Sequence, residues 1–133
     1  MTDAMPTIRL RNAWRSNHPW IFQKLVDKPT PRPKPGSVGF AVVGLGGYAL
    51  KQMMPRFDRA ERAHVAAIVS GNPEKLRRVG DAYGVPEGSR YSYENFADIA
   101  SNSAVDAVYI VLPSGLHASW TERAFAAGKH VLC

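Results

Sequence analysis

The chain has 133 residues, 45% of them hydrophobic and 21% charged, which is the range of folded globular proteins and excludes wholesale disorder. A usual domain runs to ~100–200 residues, so the length holds one domain with an extension, or a piece of something larger. The single cysteine, Cys133, excludes a disulfide framework and a cysteine-built metal site, and no apolar run reaches the ~18–20 residues that cross a bilayer. No metal and no membrane partner are expected.

The net charge of +6 is lopsided. Residues 1–35 carry seven Lys or Arg against two acids, and residues 36–133 carry ten against nine. Six of the ten prolines also lie before Gly36, every second residue from Pro29 to Pro35 being proline. Proline fixes φ and removes an amide donor, so this stretch predicts an extended, semi-rigid segment. Residues 1–35 are therefore read as a basic, proline-rich arm, and 36–133 as the domain. The arm is a spacer, a solvated tail, an SH3-type ligand or a strap over another subunit. Nucleic acid is not expected as a partner, because no recognised nucleic-acid module follows. Phe22, Leu25 and Val26 have the spacing of a short helix. The sequence MTDAMPTIRLRNAWRSN shows no apolar stretch of the signal-peptide kind, so a cytoplasmic protein is expected, or a periplasmic one if an export signal lies further upstream.

From Val38 the pattern alternates strand and helix. Val38–Val43 is a short apolar run ending in glycines, the first strand. Tyr48–Phe57 reads as a helix, bent or broken near Pro55. Val65–Val69 is the second strand. Asn72 has the chemistry of an N-cap, Pro73 suits the first helical position and Gly84 the C-terminal turn, which predicts a helix over Pro73–Tyr83. Arg90–Tyr91 is a short third strand, with Ser92 as cap of a helix over Tyr93–Ala100. Ala107–Leu112 is a fourth strand, Leu116–Ala127 a helix closed by Gly128, and His130–Cys133 a fifth strand. Strands apolar throughout and alternating with helices predict an α/β fold, a doubly wound parallel sheet of Rossmann type with helices on both faces.

Strand one runs into Gly44-Leu45-Gly46-Gly47-Tyr48-Ala49, a G-x-G-x-x-A pattern. The first glycine makes the tight turn, the second lets backbone approach a pyrophosphate, and the small third residue lets helix pack on strand. The helix start offers unpaired amides and partial positive charge. Alone the motif is weak, and a ligand-free glycine turn would look the same. Its place between a strand and a helix points to a dinucleotide.

The end of strand two discriminates between dinucleotides. An acid there would bind ribose hydroxyls and favour NAD. This chain has Ser70-Gly71-Asn72-Pro73-Glu74-Lys75. Ser70 can donate to a phosphate and Lys75 can neutralise one, with Arg77 and Arg78 nearby. The residues therefore predict NADP, unless Lys75 and the arginines are merely a solvated helix face. At the end of strand four, Val111 and Leu112 lie where the nicotinamide end would fall. His117 opens the next helix and either reaches the cofactor or is structural. No nucleophile elbow, P-loop lysine or zinc motif is present.

The runs VGFAVVGLGGYAL, VSGNPEK, DAVYIVLPSGLHA and AFAAGKHVLC together resemble the glucose–fructose oxidoreductase and inositol dehydrogenase family over about residues 38–133. The resemblance implies a tightly held NADP(H) and an oxidoreductase acting on a sugar or polyol, working as a homo-oligomer. Carried over by position, Gly44, Leu45, Gly46, Gly47 and Tyr48 line the pyrophosphate loop. Ser70 and Lys75 fall on the adenosine-phosphate site. Tyr93 falls on an aromatic cofactor contact, or else packs against the fold. Val111, Leu112, Pro113, Ser114, Leu116 and His117 border the ribose and nicotinamide side. Family members continue past strand five into Glu-Lys-Pro, whose lysine works in hydride and proton transfer, and into a second domain with the sugar site. These 133 residues stop before that tripeptide, so no catalytic residue is expected within them. The leading expectation is the cofactor portion of an NADP-dependent sugar oxidoreductase. The alternative is a non-catalytic NADP-binding or interaction module that uses the arm.

Overall fold

The computed structural model describes residues 35–133; the arm and the helix expected around Phe22–Val26 lie outside them. Side-chain alternation along β1 (Val38–Val43) sets the architecture. Ala41 and Val43 join a core with Trp120 and Ala124, whereas Val42 joins a second core with Leu50, Met54 and Val79. A strand buried on both faces belongs in a parallel sheet covered by helices. Strands β2 (Ala63–Val69), β3 (Arg90–Tyr91), β4 (Ala107–Ile110) and β5 (His130–Leu132) complete it. All pairings are parallel, in the order β3-β2-β1-β4-β5. This is the doubly wound Rossmann-type sheet that the sequence predicts. The winding direction reverses between β1 and β4, and that reversal opens a crevice at the carboxyl ends of the strands.

The segment after β1 enters a helix that differs from the expected bent α-helix. Ala49–Met53 forms a π-helical turn and passes directly into α1 (Met54–Phe57). The Met54 amide donates to the Ala49 carbonyl, five residues back. Pro55 has no amide to continue the ladder, and its ring crowds the carbonyl four residues earlier. The widened turn carries the chain past it without a break.

Helix α2 (Pro73–Tyr83) begins and ends where its capping residues predict. The Asn72 side chain accepts from the amides of Glu74 and Lys75, Pro73 occupies the first turn, and Gly84 adopts φ +64°. The expected helix over Tyr93–Ala100 is instead a short 3₁₀ helix over Phe96–Ser101. Ser92 does not cap a helix there. Its amide and hydroxyl donate to Asn95 Oδ1, and its Oγ accepts from the Asn95 amide, closing a local loop of the kind short polar side chains favour. A further 3₁₀ turn, Ser114–Leu116, leads into α3 (His117–Ala126), with Gly128 at φ +75° beyond it. Strands β4 and β5 are each shorter at their carboxyl ends than expected. The π turn, α1 and α2 cover one face of the sheet, and α3 with the Phe96–Ser101 turn covers the other.

Candidate functional site

The crevice is built where β1, β2 and β4 end together. The Gly44 amide donates to the Val69 carbonyl at 3.0 Å, and the Val111 amide donates to the Val43 carbonyl at 2.8 Å. These bonds carry the strand pairing one step beyond the sheet proper. Gly44 has φ +96°, and a Cβ there would collide with the Val111 carbonyl oxygen and lie 2.9 Å from Leu112 Cδ2. Only glycine satisfies both the dihedral and the space.

Gly46 and Gly47 differ from it. A Cβ built on either meets no described atom within 4 Å. The packing within the described residues gives no reason for glycine at these two positions. The space a Cβ would fill is the space a diphosphate needs, so these residues fit the dinucleotide that the motif implies. The first bond of the helix runs from the Leu50 amide to the Gly46 carbonyl at 3.0 Å, and amides before it lie ahead of the intrahelical ladder. Leu45 is 2% exposed and packs its side chain among Leu50 and Met54, so it faces the crevice with backbone alone. Tyr48 is largely exposed on the first turn.

Ser70 closes β2. Its amide donates to the Tyr91 carbonyl at 3.1 Å, and its Oγ accepts from the Asn72 amide at 3.2 Å. A hydroxyl that accepts there still has its own hydrogen to donate. Lys75 is not part of a solvated helix face: it is 6% exposed. Its Nζ donates to the Leu45 carbonyl in the glycine loop at 2.8 Å, and burial pulls its pKa from the usual lysine range down to about 7. Arg77 and Arg78 are exposed on α2, and Arg78 pairs with Glu74 at 2.9 Å. For those two arginines the solvated-face reading fits.

Tyr93 packs rather than projects. It is buried, and its ring meets Trp120 edge-on at 5.2 Å. Burial raises its phenol pKa. The Tyr93 carbonyl accepts from Arg123 at 3.0 Å, whose guanidinium lies 3.9 Å over the Trp120 ring and 5.4 Å from the Phe96 ring. Sequence reasoning missed Arg123. It joins residues 30 apart, and a stacked arginine leaves no local periodic signal.

At the end of β4 the chain opens outward. Leu112 is buried, Val111, Leu116 and His117 are half-buried, and Pro113 and Ser114 are exposed. His117 Nε2 lies 2.7 Å from the Leu112 carbonyl. A carbonyl only accepts, so Nε2 carries the hydrogen, and Nδ1 is the accepting nitrogen of the neutral ring. No helix among the described residues is long and apolar enough to cross a membrane.

A family model described as an oxidoreductase family with an NAD-binding Rossmann fold matches residues 38–133. The chain belongs to this family. Among curated relatives, a dTDP-3,4-didehydro-2,6-dideoxy-alpha-D-glucose 3-reductase of Streptomyces violaceoruber is 40% identical over 68% of this chain and 25% of its own length. A D-xylose 1-dehydrogenase [NADP(+)] of Haloarcula marismortui is 34% identical over 86% of this chain and 29% of its own. Among solved structures, an aldose-aldose oxidoreductase from Caulobacter crescentus, complexed with glycerol, superposes with a TM-score of 0.72. It is 52% identical over 73% of this chain and 29% of that one. The chain thus spans between a quarter and a third of the length of these relatives. It is a member of an NAD(P)-binding oxidoreductase family.

Proposed function

We propose that residues 36–133 form the NADP(H)-binding portion of an oxidoreductase that acts on a sugar or polyol, in the manner of glucose–fructose oxidoreductase. The observation that carries this reading is the close of β2 on Ser70, with no carboxylate from Ser70 to Pro73 and a buried lysine beside the glycine loop. The backbone of Gly44–Tyr48 binds the pyrophosphate. Ser70 donates its hydroxyl hydrogen to a 2′-phosphate, and Lys75 supplies the opposing charge. Val111, Leu112, Pro113, Ser114 and Leu116 border the nicotinamide side, and His117 offers Nδ1 to a ribose hydroxyl. Tyr93 contributes through the loop it anchors. A bound NADP(H) supplies the hydride chemistry, and the chain supplies binding and orientation. No residue from 36 to 133 takes a catalytic role; the reacting groups and the sugar site belong to the rest of an oligomeric parent enzyme. The names of the relatives support the sugar class.

The test is a titration of the full chain with NADPH and NADH. NADPH binds about tenfold or more tightly, because a charge-assisted contact contributes ~1.5–3 kcal/mol. Ser70→Asp reverses the order by placing an acid against the phosphate. Saturable binding of neither nucleotide, or an unchanged order in the variant, refutes the proposal.

A further inference from the structure

A lysine that serves only to meet a phosphate from the first turn of α2 would be expected to reach towards solvent. Lys75 instead is buried, and its Nζ lies 2.8 Å from a backbone carbonyl 30 residues earlier. Its own backbone is fixed, because the Lys75 amide donates to Asn72 Oδ1 at 3.2 Å. The residue it grips is itself anchored, since the Leu45 side chain sits in the core with Leu50 and Met54.

Peptide planarity turns this contact into a statement about the cradle. In a trans peptide the carbonyl of one residue and the amide of the next point in opposite directions, and no cis peptide is present among the described residues. Holding the Leu45 carbonyl towards Lys75 therefore directs the Gly46 N–H away from α2. Gly46 is one of the two loop glycines above which the structure leaves open space. We infer that Lys75 is a positioning residue for the glycine loop: through the Leu45 carbonyl it sets the orientation of the 45–46 peptide and so of a donor in the pyrophosphate cradle. The role rests on the dinucleotide reading of the crevice, but it is distinct from capture of a 2′-phosphate. It operates on any dinucleotide and on the empty loop.

The experiment compares wild type, Lys75→Met and Lys75→Arg in the full chain, by amide hydrogen exchange without nucleotide and by NADH titration. NADH lacks the 2′-phosphate, so a lysine that only captured that group would not affect its binding. In Lys75→Met, exchange at the Gly44 and Leu50 amides quickens about tenfold while amides of β4 and β5 keep their rates, and NADH affinity falls about five- to tenfold. Lys75→Arg restores both. Unchanged exchange at Gly44 and Leu50, acceleration spread evenly over the sheet, or NADH affinity within twofold of wild type overturns the role. A wild-type chain that binds neither nucleotide sinks the reading of the site instead, and the exchange comparison, made without nucleotide, still decides the tether.

Discussion

The two sides of the crevice are built to different standards. On the β2 side, Ser70 and Lys75 are buried and each is bonded to another segment, Ser70 to β3 and Lys75 to the glycine loop. On the β4 side, Pro113 and Ser114 are exposed, and the His117 contact with the Leu112 carbonyl ties the end of β4 to the start of α3. The side that would read the adenosine is thus pre-organised inside this domain, and binding there costs little ordering. The side that would hold the reacting ring is exposed at Pro113 and Ser114.

The sharpest break of that comparison uses the two kinds of glycine between the sides. Gly44→Ala places a Cβ at φ +96° and against the Val111 carbonyl. It should cost about 2–4 kcal/mol of stability, the sum of backbone strain and overpacking, read as a lowered urea midpoint. Gly46→Ala meets open space and leaves the midpoint within ~0.5 kcal/mol of wild type. It lowers affinity for both nucleotides about tenfold by occupying the cradle. Equal stability of the two variants would remove the distinction between a glycine the fold needs and one the ligand needs.

Next in size is a pH effect confined to the β2 side. With its pKa lowered to about 7, Lys75 is charged below that value and increasingly neutral above it. A bound 2′-phosphate favours the charged form, so the preference for NADPH over NADH should weaken as pH rises from about 6.5 to 8.5, by up to about tenfold. Lys75→Met flattens the profile. The same shift has a stability sign. Between about pH 7 and 10.4 the unfolded chain binds a proton that the folded chain does not, so this group's contribution to stability rises with pH over that window. A preference that strengthens with pH contradicts the placement of the lysine.

The smallest effect belongs to the β4 side. His117→Ala removes the contact with the Leu112 carbonyl and should cost ~0.5–1.5 kcal/mol. It loosens NADPH and NADH alike, by a few fold, in parallel titrations. A loss confined to NADPH would place His117 on the wrong side of the crevice.

How much of this was legible in the residues follows from how local each signal is. The glycine loop and the ends of α2 depend on neighbours in sequence, and Asn72, Pro73 and Gly84 do what their chemistry dictates. Wherever the decisive partner is distant, the residues alone leave alternatives open. Lys75 reads either as a phosphate ligand or as part of a solvated helix face, and only the approach of Leu45 turns it inward. Tyr93 reads either as a cofactor contact or as packing, and its packing becomes visible only through Trp120 and Arg123, 27 and 30 residues on. The Tyr93–Ala100 segment is pinned at its start by the Ser92–Asn95 loop and forms a short 3₁₀ helix over Phe96–Ser101. Pro55 announced an irregularity, but proline does not say whether the helix bends or widens, and here it widens.

Phosphorus NMR of NADP⁺ titrated with the full chain tests the central claim most directly, because it observes the pyrophosphate and the 2′-phosphate separately. Contact of both groups with the protein predicts that all three resonances shift or broaden in wild type, while Ser70→Ala and Lys75→Met reduce the change at the 2′-phosphate. A 2′-phosphate resonance that stays at its free position while the pyrophosphate signals move would contradict the assignment to NADP, and three unmoved resonances would contradict the site itself.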